Sequence, residues 1–288
     1  MHVLLAYDGS SVSQLAADSL SALPSVKKVT LISIFEELNQ DIWQKISSSD
    51  RSTLSSNIEL AITNKAKSIA ETIAKKLGIE TAHVTKRGKP AKAIFEACKE
   101  QKIDLLVMGK TGHGSVLGVK MGSVSRSIVH RAPCPTLLIE SPIKPAMHVL
   151  CASDGSEKAH EAIGFLGKLN LKDADYHIIC ASENTGYFTG NKSVFKDEIS
   201  KAISEISKDL AKESAKLLKD ACGVAKVTEH VQDGTGSRGG FIIDQADKIE
   251  SDILVMGTRS LDAVDRFFNG SISNTVFEKY DGNLLIVP

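Results

Sequence analysis

The sequence predicts an α/β protein made of two doubly wound, five-stranded parallel-sheet domains. Three observations carry that prediction. Short apolar runs alternate with stretches of helical periodicity, the order that yields a parallel sheet covered by helices. The opening Met1-His2-Val3-Leu4-Leu5-Ala6-Tyr7-Asp8-Gly9-Ser10 returns as Met147-His148-Val149-Leu150-Cys151-Ala152-Ser153-Asp154-Gly155-Ser156. Asp104-Leu105-Leu106-Val107-Met108-Gly109 likewise returns as Asp252-Ile253-Leu254-Val255-Met256-Gly257. The copies stand far too far apart for a solenoid repeat, so each is a whole domain.

In the first copy, strands are expected near 2 to 7, 28 to 34, 80 to 86, 104 to 109 and 136 to 140. Between the second and third, Ile58, Ile62, Ala66, Ile69, Ile73 and Leu77 recur at helical spacing until Gly78 stops the helix. Arg87-Gly88-Lys89-Pro90 forms a turn with proline in a first helical turn, followed by Ile94, Ala97 and Cys98 on one face. In the second copy, strands are expected near 147 to 152, 175 to 181, 225 to 231, 252 to 256 and 283 to 287. Its long helix carries Ile199, Ile203, Ile206, Leu210, Leu217 and Ala221 along one stripe. Thr185 to Ser193 reads as an exposed loop ahead of that helix. Two prolines in Ser141-Pro142-Ile143-Lys144-Pro145 deny the backbone a continuous helix or central strand, which puts the domains at 1–141 and 146–288.

Composition narrows the class of function. Lys+Arg and Asp+Glu both number 35, so no broad basic field exists to hold a nucleic acid. The five cysteines, Cys98, Cys134, Cys151, Cys180 and Cys222, are scattered without Cys-x-x-Cys spacing, which argues against a disulfide framework and a zinc site and favours a reducing cytoplasm. No apolar run reaches the roughly 18 residues of a membrane span. The start of the chain lacks the basic and apolar regions of a signal peptide.

The chemistry gathers after the fourth strand. Gly109-Lys110-Thr111-Gly112 is followed nine residues later by Gly122-Ser123, which opens a helical pattern with Val124, Ile128 and Val129. Glycines let backbone approach a ligand closely, and amides at a helix start point outward, so this loop suits a phosphate. Ser123 adds a hydroxyl at an N-cap-like position. Ligands of open parallel sheets sit beyond the carboxyl ends of the strands, where both this loop and Asp8 lie. Lys110, His113 and Lys120 add positive charge nearby, although loop lysines are usually only solvated.

The spacing G-x2-G-x9-G-[ST] resembles the nucleotide-binding signature of the universal stress protein family. The opening Val-Leu-Leu-Ala-Tyr-Asp-Gly-Ser and the closing His130-Arg131-Ala132-Pro133-Cys134-Pro135-Thr136-Leu137-Leu138-Ile139 are also similar to that family, once per half. The resemblance implies an adenine nucleotide alpha hydrolase-like fold and two domains packed as an internal pseudo-dimer. It also implies that Asp8 lies by the adenosine, that backbone at Ile34 reads the base, and that Gly109, Gly112, Gly122 and Ser123 hold the phosphates. Ile34 follows from strand counting alone. ATP is the implied ligand, with a divalent ion such as Mg on its phosphates.

The second copy departs from the pattern. Gly257-Thr258-Arg259-Ser260 and Gly270-Ser271 keep the spacing, but the second glycine is now Ser260. Asp262 and Asp265 enter the loop that would face phosphates, opposed by Arg259 and Arg266. This half is expected to bind ATP weakly or not at all, despite Asp154.

Other motifs weigh less. A Walker A loop needs glycine where Asp104 stands. Gly234-Thr235-Gly236-Ser237-Arg238-Gly239 matches G-x-G-x-x-G, yet no acidic residue ends the next strand, so a turn before a helix is favoured over a dinucleotide site. The eight histidines show no His-Glu-x-x-His and no tight cluster with cysteine or carboxylate, so no metal site built by protein alone is expected. His113 with Ser115 reads as a loop pair, and Cys134, between two prolines, as a buried structural thiol. Asp8 has a plain alternative as a turn with Gly9 and Ser10.

The resulting expectation is a cytoplasmic stress-response protein that binds ATP in its N-terminal half and acts as a sensor or regulator. At most it hydrolyses ATP slowly, because no evident base activates water. The alternatives are a nucleotide-free interaction protein that works only through its surfaces and a small hydrolase or nucleotidyl-transfer enzyme of related architecture. A protein partner of unknown identity is expected, and association of two chains as a homodimer stays open.

Overall fold

A computed structural model describes the chain apart from residues 37–47, 113–119, 132, 145, 172, 182–195, 233–236 and 259–270. The described residues form two compact units, Met1–Ser21 with Val26–Glu140, and Ser141–Pro288 with Ala22–Ser25.

The first unit runs β1 (His2–Ala6), α1 (Ser11–Ser19), β2 (Lys28–Phe35), α2 (Ser48–Leu77), β3 (Glu80–Arg87), α3 (Pro90–Glu100), β4 (Leu105–Gly109), α4 (Ser123–Val129) and β5 (Thr136–Ile139). Its strands are parallel, in the order β3-β2-β1-β4-β5. The order reverses direction after β1, so right-handed crossovers put α1 and α2 on one face and α3 and α4 on the other. Central strands are apolar throughout because both faces are covered: Val3, Leu4, Leu5, Leu105, Leu106 and Val107 are all fully buried. The edge strand β3 reads Glu-Thr-Ala-His-Val-Thr-Lys-Arg, and its exposed ends carry charge.

The second unit repeats the plan: β6 (His148–Ala152), α5 (Glu157–Leu169), β7 (Asp175–Cys180), α6 (Lys196–Cys222), β8 (Thr228–Val231), α7 (Arg238–Lys248), β9 (Ile253–Gly257), α8 (Ser271–Lys279) and β10 (Leu284–Val287). Its order, β10-β9-β6-β7-β8, is the same arrangement. Among the described residues no helix is long and apolar enough to cross a membrane.

Two helix expectations need correction. Helix α2 begins at Ser48, well before Ile58. Nothing between Ser48 and Leu77 is glycine or proline, and Asp50 in the first turn suits the helix dipole, so the helix continues through polar sequence. In α6 the buried stripe is Ser207, Ala211, Ser214, Ala215 and Leu218, whereas Ile206 and Leu217 are exposed and Ala221 faces solvent. Small residues lie against the sheet there, and Ser214 hydrogen-bonds Ser153 at 2.9 Å. A periodicity count that weights only large apolar side chains misses that stripe. The expected loop from Thr185 to Ser193 lies outside the described residues.

Candidate functional site

The switch in strand order opens a crevice between β1 and β4, the place where open α/β sheets bind ligands. Asp8 follows β1 on this edge. Its Oδ1 accepts from the Ser10 amide at 2.9 Å and from the Ser10 hydroxyl at 2.6 Å. Ser10 also caps α1, accepting from the Ser13 amide at 3.1 Å. The turn expected for Asp8 therefore exists, and it leaves Oδ2 directed elsewhere. Oδ2 meets Gly112, where an added Cβ would fall 2.7 Å from it. Residues far apart in sequence thus share one spot, and only a glycine lets the loop come that close.

The other glycines serve different purposes. A Cβ on Gly109 would lie 3.1 Å from Val12 Cγ1, so this glycine lets α1 pack over the end of β4. Gly122 donates to the Lys110 carbonyl at 2.9 Å, which closes the base of the loop, and a Cβ there would make only ordinary contacts. Gly122, and not Ser123, is the N-cap of α4; Ser123 stands one position later, in the first turn, with its side chain exposed. The next turn is anchored by the Ser125 hydroxyl, which donates to Gly109 O at 3.0 Å.

Lys110 is fully buried, unlike a solvated loop lysine, and its amide donates to Ile139 O at 2.7 Å. Lys120 is exposed, and His113 and Ser115 lie outside the described residues. Ile34 is half-buried at the end of β2, two residues beyond the Ala6–Ile32 pairing and hence level with Asp8. Beside it Tyr7 is buried, its hydroxyl donating to Gln14 at 3.2 Å; burial first, and then the charge of Asp8, push its pKa upward.

The second unit keeps the frame. Asp154 Oδ1 accepts from the Ser156 amide at 3.0 Å, and Ser156 caps α5. A Cβ on Gly257 would fall 2.3 Å from Lys158 O, so α5 packs over β9 even more tightly. However, Leu210 of α6 lies against Gly155, with Cδ1 2.5 Å from where a Cβ would stand. Arg259, Ser260, Asp262, Asp265, Arg266 and Gly270 lie outside the described residues.

Glycine 239 fits the plain reading of its motif. Ser237 caps α7 and accepts from the Gly240 amide at 3.3 Å, while a Cβ on Gly239 would strike Thr275 of α8 at 2.7 Å. Cys134 is buried and shares a hydrogen bond with Cys98, which raises the Cys98 pKa and lowers that of Cys134. A cavity of about 30 Å³ between α1 and α2, lined by Gln14, Asp18 and Ile69, has room for a water molecule and not for a nucleotide.

One grouping escaped the sequence. His148, Asp175 and His177 bring ligand-type atoms within 4.8 Å of one another. The expectation of no tight histidine–carboxylate cluster is therefore overturned by the fold, because strand pairing sets His148 beside Asp175. Asp175-x-His177, two residues on one strand face, was the signal available in the sequence.

The profile of the universal stress protein family matches residues 1–140 and again residues 146–288. The chain belongs to the universal stress protein family. Its two matches make it a tandem universal stress protein. A universal stress protein from Archaeoglobus fulgidus is similar in structure across 99% of this chain and 97% of its own, with a TM-score of 0.68 and 18% identity. A putative universal stress protein from Pseudomonas aeruginosa covers 99% of this chain and 92% of its own, with a TM-score of 0.64 and 12% identity. In sequence, a Thermus aquaticus universal stress protein is 47% identical over 53 residues, 18% of this chain and 39% of that protein. One from Methanocaldococcus jannaschii is 35% identical over 72 residues, 25% of this chain and 42% of that protein. The chain thus spans about two fifths of the length of the curated relatives it matches.

Proposed function

We propose that this tandem universal stress protein binds ATP in its N-terminal unit, with a divalent ion on the phosphates, and acts in the cytoplasm as a nucleotide-dependent sensor or regulator. One observation carries the reading. At the crevice between β1 and β4, a Cβ at Gly112 would fall 2.7 Å from Asp8 Oδ2, so a side chain there would have to displace the carboxylate. A strand-end carboxylate suits a ribose hydroxyl, and glycines whose backbone can come close suit phosphates. The roles of Asp8, Ile34, Gly109, Gly112, Gly122 and Ser123 come from the family signature; the meeting of Gly112 with Asp8 and the exposure of Ser123 support that reading, whereas Gly109 chiefly admits α1. Nucleotide binding beside Asp8 and Gly112 would favour one arrangement of the site and so alter a surface read by a protein partner.

The C-terminal unit is proposed to bind ATP weakly or not at all. Leu210 at Gly155, Ser260 in place of a glycine and two loop aspartates all weigh against a triphosphate. The test is calorimetric titration of the full chain with Mg-ATP, alongside mass spectrometry of gently denatured protein for carried nucleotide. One ATP per chain is expected, weakened by Asp8→Ala and unchanged by Asp154→Ala. Two equal sites would refute the asymmetry, and absence of binding would refute the function.

A further inference from the structure

A row of imidazoles runs diagonally across three adjacent strands of the second sheet, from His148 at the start of β6 through His177 within β7 to His230 near the end of β8. His148 and His177 have ring centroids 5.7 Å apart, and His177 and His230 stack at 5.2 Å. His148 pairs with Asp175 across the strands, and His177, two residues after Asp175, projects from the same face. Asp175 Oδ2 lies 3.8 Å from His148 Nδ1 and 3.6 Å from His177 Nε2. These separations are too long for hydrogen bonds. They approach the roughly 3.4 Å between ligand atoms of a tetrahedral ion with bonds near 2.1 Å, and the three ligand atoms all lie within 4.8 Å of one another, so a small inward turn of the side chains would close the set on an ion.

The nitrogens at this point are buried and without hydrogen bonds. His177 is 7% exposed, and neither its Nε2 nor His148 Nδ1 finds a hydrogen-bond partner. An unsatisfied buried polar atom is costly, so two in one place call for an occupant. Tautomer chemistry sharpens this. His177 Nδ1 stands 3.0 Å from His230 Nε2, so one of these atoms carries the shared proton. If His177 Nδ1 donates, its Nε2 is a bare lone pair directed at a carboxylate oxygen, an arrangement that repels unless a cation lies between them. A ring N–H held by an outer partner is the usual way a metal-binding histidine is oriented.

We infer that His148 Nδ1, His177 Nε2 and the Asp175 carboxylate bind a divalent first-row transition-metal ion of the zinc(II) class, with His230 positioning His177. Imidazole nitrogen with one carboxylate is a donor set suited to such ions. His148 and Asp175 are 41% and 54% exposed in their side chains, so water can complete the coordination from outside. The first unit supplies a contrast. There His2 Nε2 is satisfied by the Thr30 hydroxyl at 2.9 Å, and the position of Asp175 is held by Lys28, paired with Glu80 at 2.6 Å.

The full-length chain, stripped with chelator, should be titrated with zinc(II) by calorimetry and with cobalt(II) by visible absorption. One zinc per chain is expected. His148→Ala and His177→Ala should each weaken it at least about tenfold, and His230→Ala by about 10- to 100-fold. His83→Ala should leave it unchanged. Cobalt should give weak d–d bands without a thiolate charge-transfer band. Absence of zinc binding, undiminished affinity in folded His148→Ala, or a thiolate band pointing to the cysteines would each overturn the assignment. His148 is exposed enough to be replaced without unfolding, so that variant decides the matter if His177→Ala fails to fold.

Discussion

The two units share their backbone devices and differ in the side chains laid over them. In each, an aspartate accepts an amide two residues on, a serine caps the following helix, and a glycine ending the fourth strand admits that helix. In each, an aspartate before that strand, Asp104 or Asp252, holds the amide of the histidine that begins the first strand, His2 or His148, at 2.7 and 2.9 Å. These devices fix the chain path and tolerate little change. What diverged is the set of side chains laid over that frame. The first unit keeps Gly112 beside Asp8 at the carboxyl edge. The second puts Leu210 against Gly155 at that edge and sets His148, Asp175 and His177 together across β6 and β7. Duplication of a stable frame leaves each copy free to vary in what it carries.

The sharpest way to break this comparison is to test whether the shared glycine is equally strict in both units. A Cβ on Gly257 would lie 2.3 to 2.9 Å from the backbone of Lys158 and Ala159, which cannot yield without moving α5. At Gly109 the closest atoms are farther off, Thr111 O at 2.9 Å, Val12 Cγ1 at 3.1 Å and Val12 C at 3.2 Å, so a smaller shift makes room. Gly257→Ala should therefore destabilise its unit by about 3 kcal/mol, and Gly109→Ala by about 1 kcal/mol. Urea unfolding midpoints measure both. Equal losses would mean that the helices sit alike and that the closer approach in the second unit has no energetic meaning.

Next in size is the ligand effect at Gly112. Gly112→Ala places a methyl 2.7 Å from Asp8 Oδ2, which displaces the carboxylate without disturbing buried packing. ATP affinity should fall about tenfold or more, a loss of about 1.4 kcal/mol, while the unfolding midpoint barely moves. The mirror change, Ser260→Gly, should not create a second ATP site, because Leu210, Asp262 and Asp265 remain. Calorimetry on both variants decides. A strong second site in Ser260→Gly would show that one missing glycine alone separated the two units.

How much of this was legible in the sequence follows from the range of each interaction. The strands were legible along the chain because buried parallel strands are continuous apolar runs, and the repeat marked the first and fourth of them twice. Gly78 and Pro90 marked a helix end and a helix start by their own backbone constraints, with φ of +66° at Gly78. The buried face of α6 was not legible, since its contacts use serine and alanine where the periodicity count sought isoleucine and leucine. The site loop was found by spacing, but the distinct duties of its glycines were not. Whether a glycine admits a helix, as Gly109 does, or a carboxylate, as Gly112 does, depends on what the fold brings from elsewhere. The histidine cluster stayed hidden for the same reason, because strand pairing joins residues that local reading keeps apart.

The smallest effect compares the two capping serines. Ser10 and Ser156 each accept an amide from the first turn of a helix, at 3.1 and 3.3 Å, so replacing either with alanine should cost about 1 kcal/mol of stability. Ser10 does a second thing: its hydroxyl donates to Asp8 Oδ1 at 2.6 Å, a short bond to an ionised acceptor. Asp8 is exposed, so that bond adds little to folding, but it holds the carboxylate in the position that meets Gly112. Ser10→Ala should therefore match Ser156→Ala in urea midpoint and differ from it in ATP affinity, which falls only when Ser10 is replaced. If Ser156→Ala weakened ATP equally, the ligand would have to sit at both units. If Ser10→Ala left ATP binding intact, Asp8 would be a turn residue and nothing more, as Asp154 is in the second unit, and the crevice between β1 and β4 would lose the carboxylate assigned to its ligand.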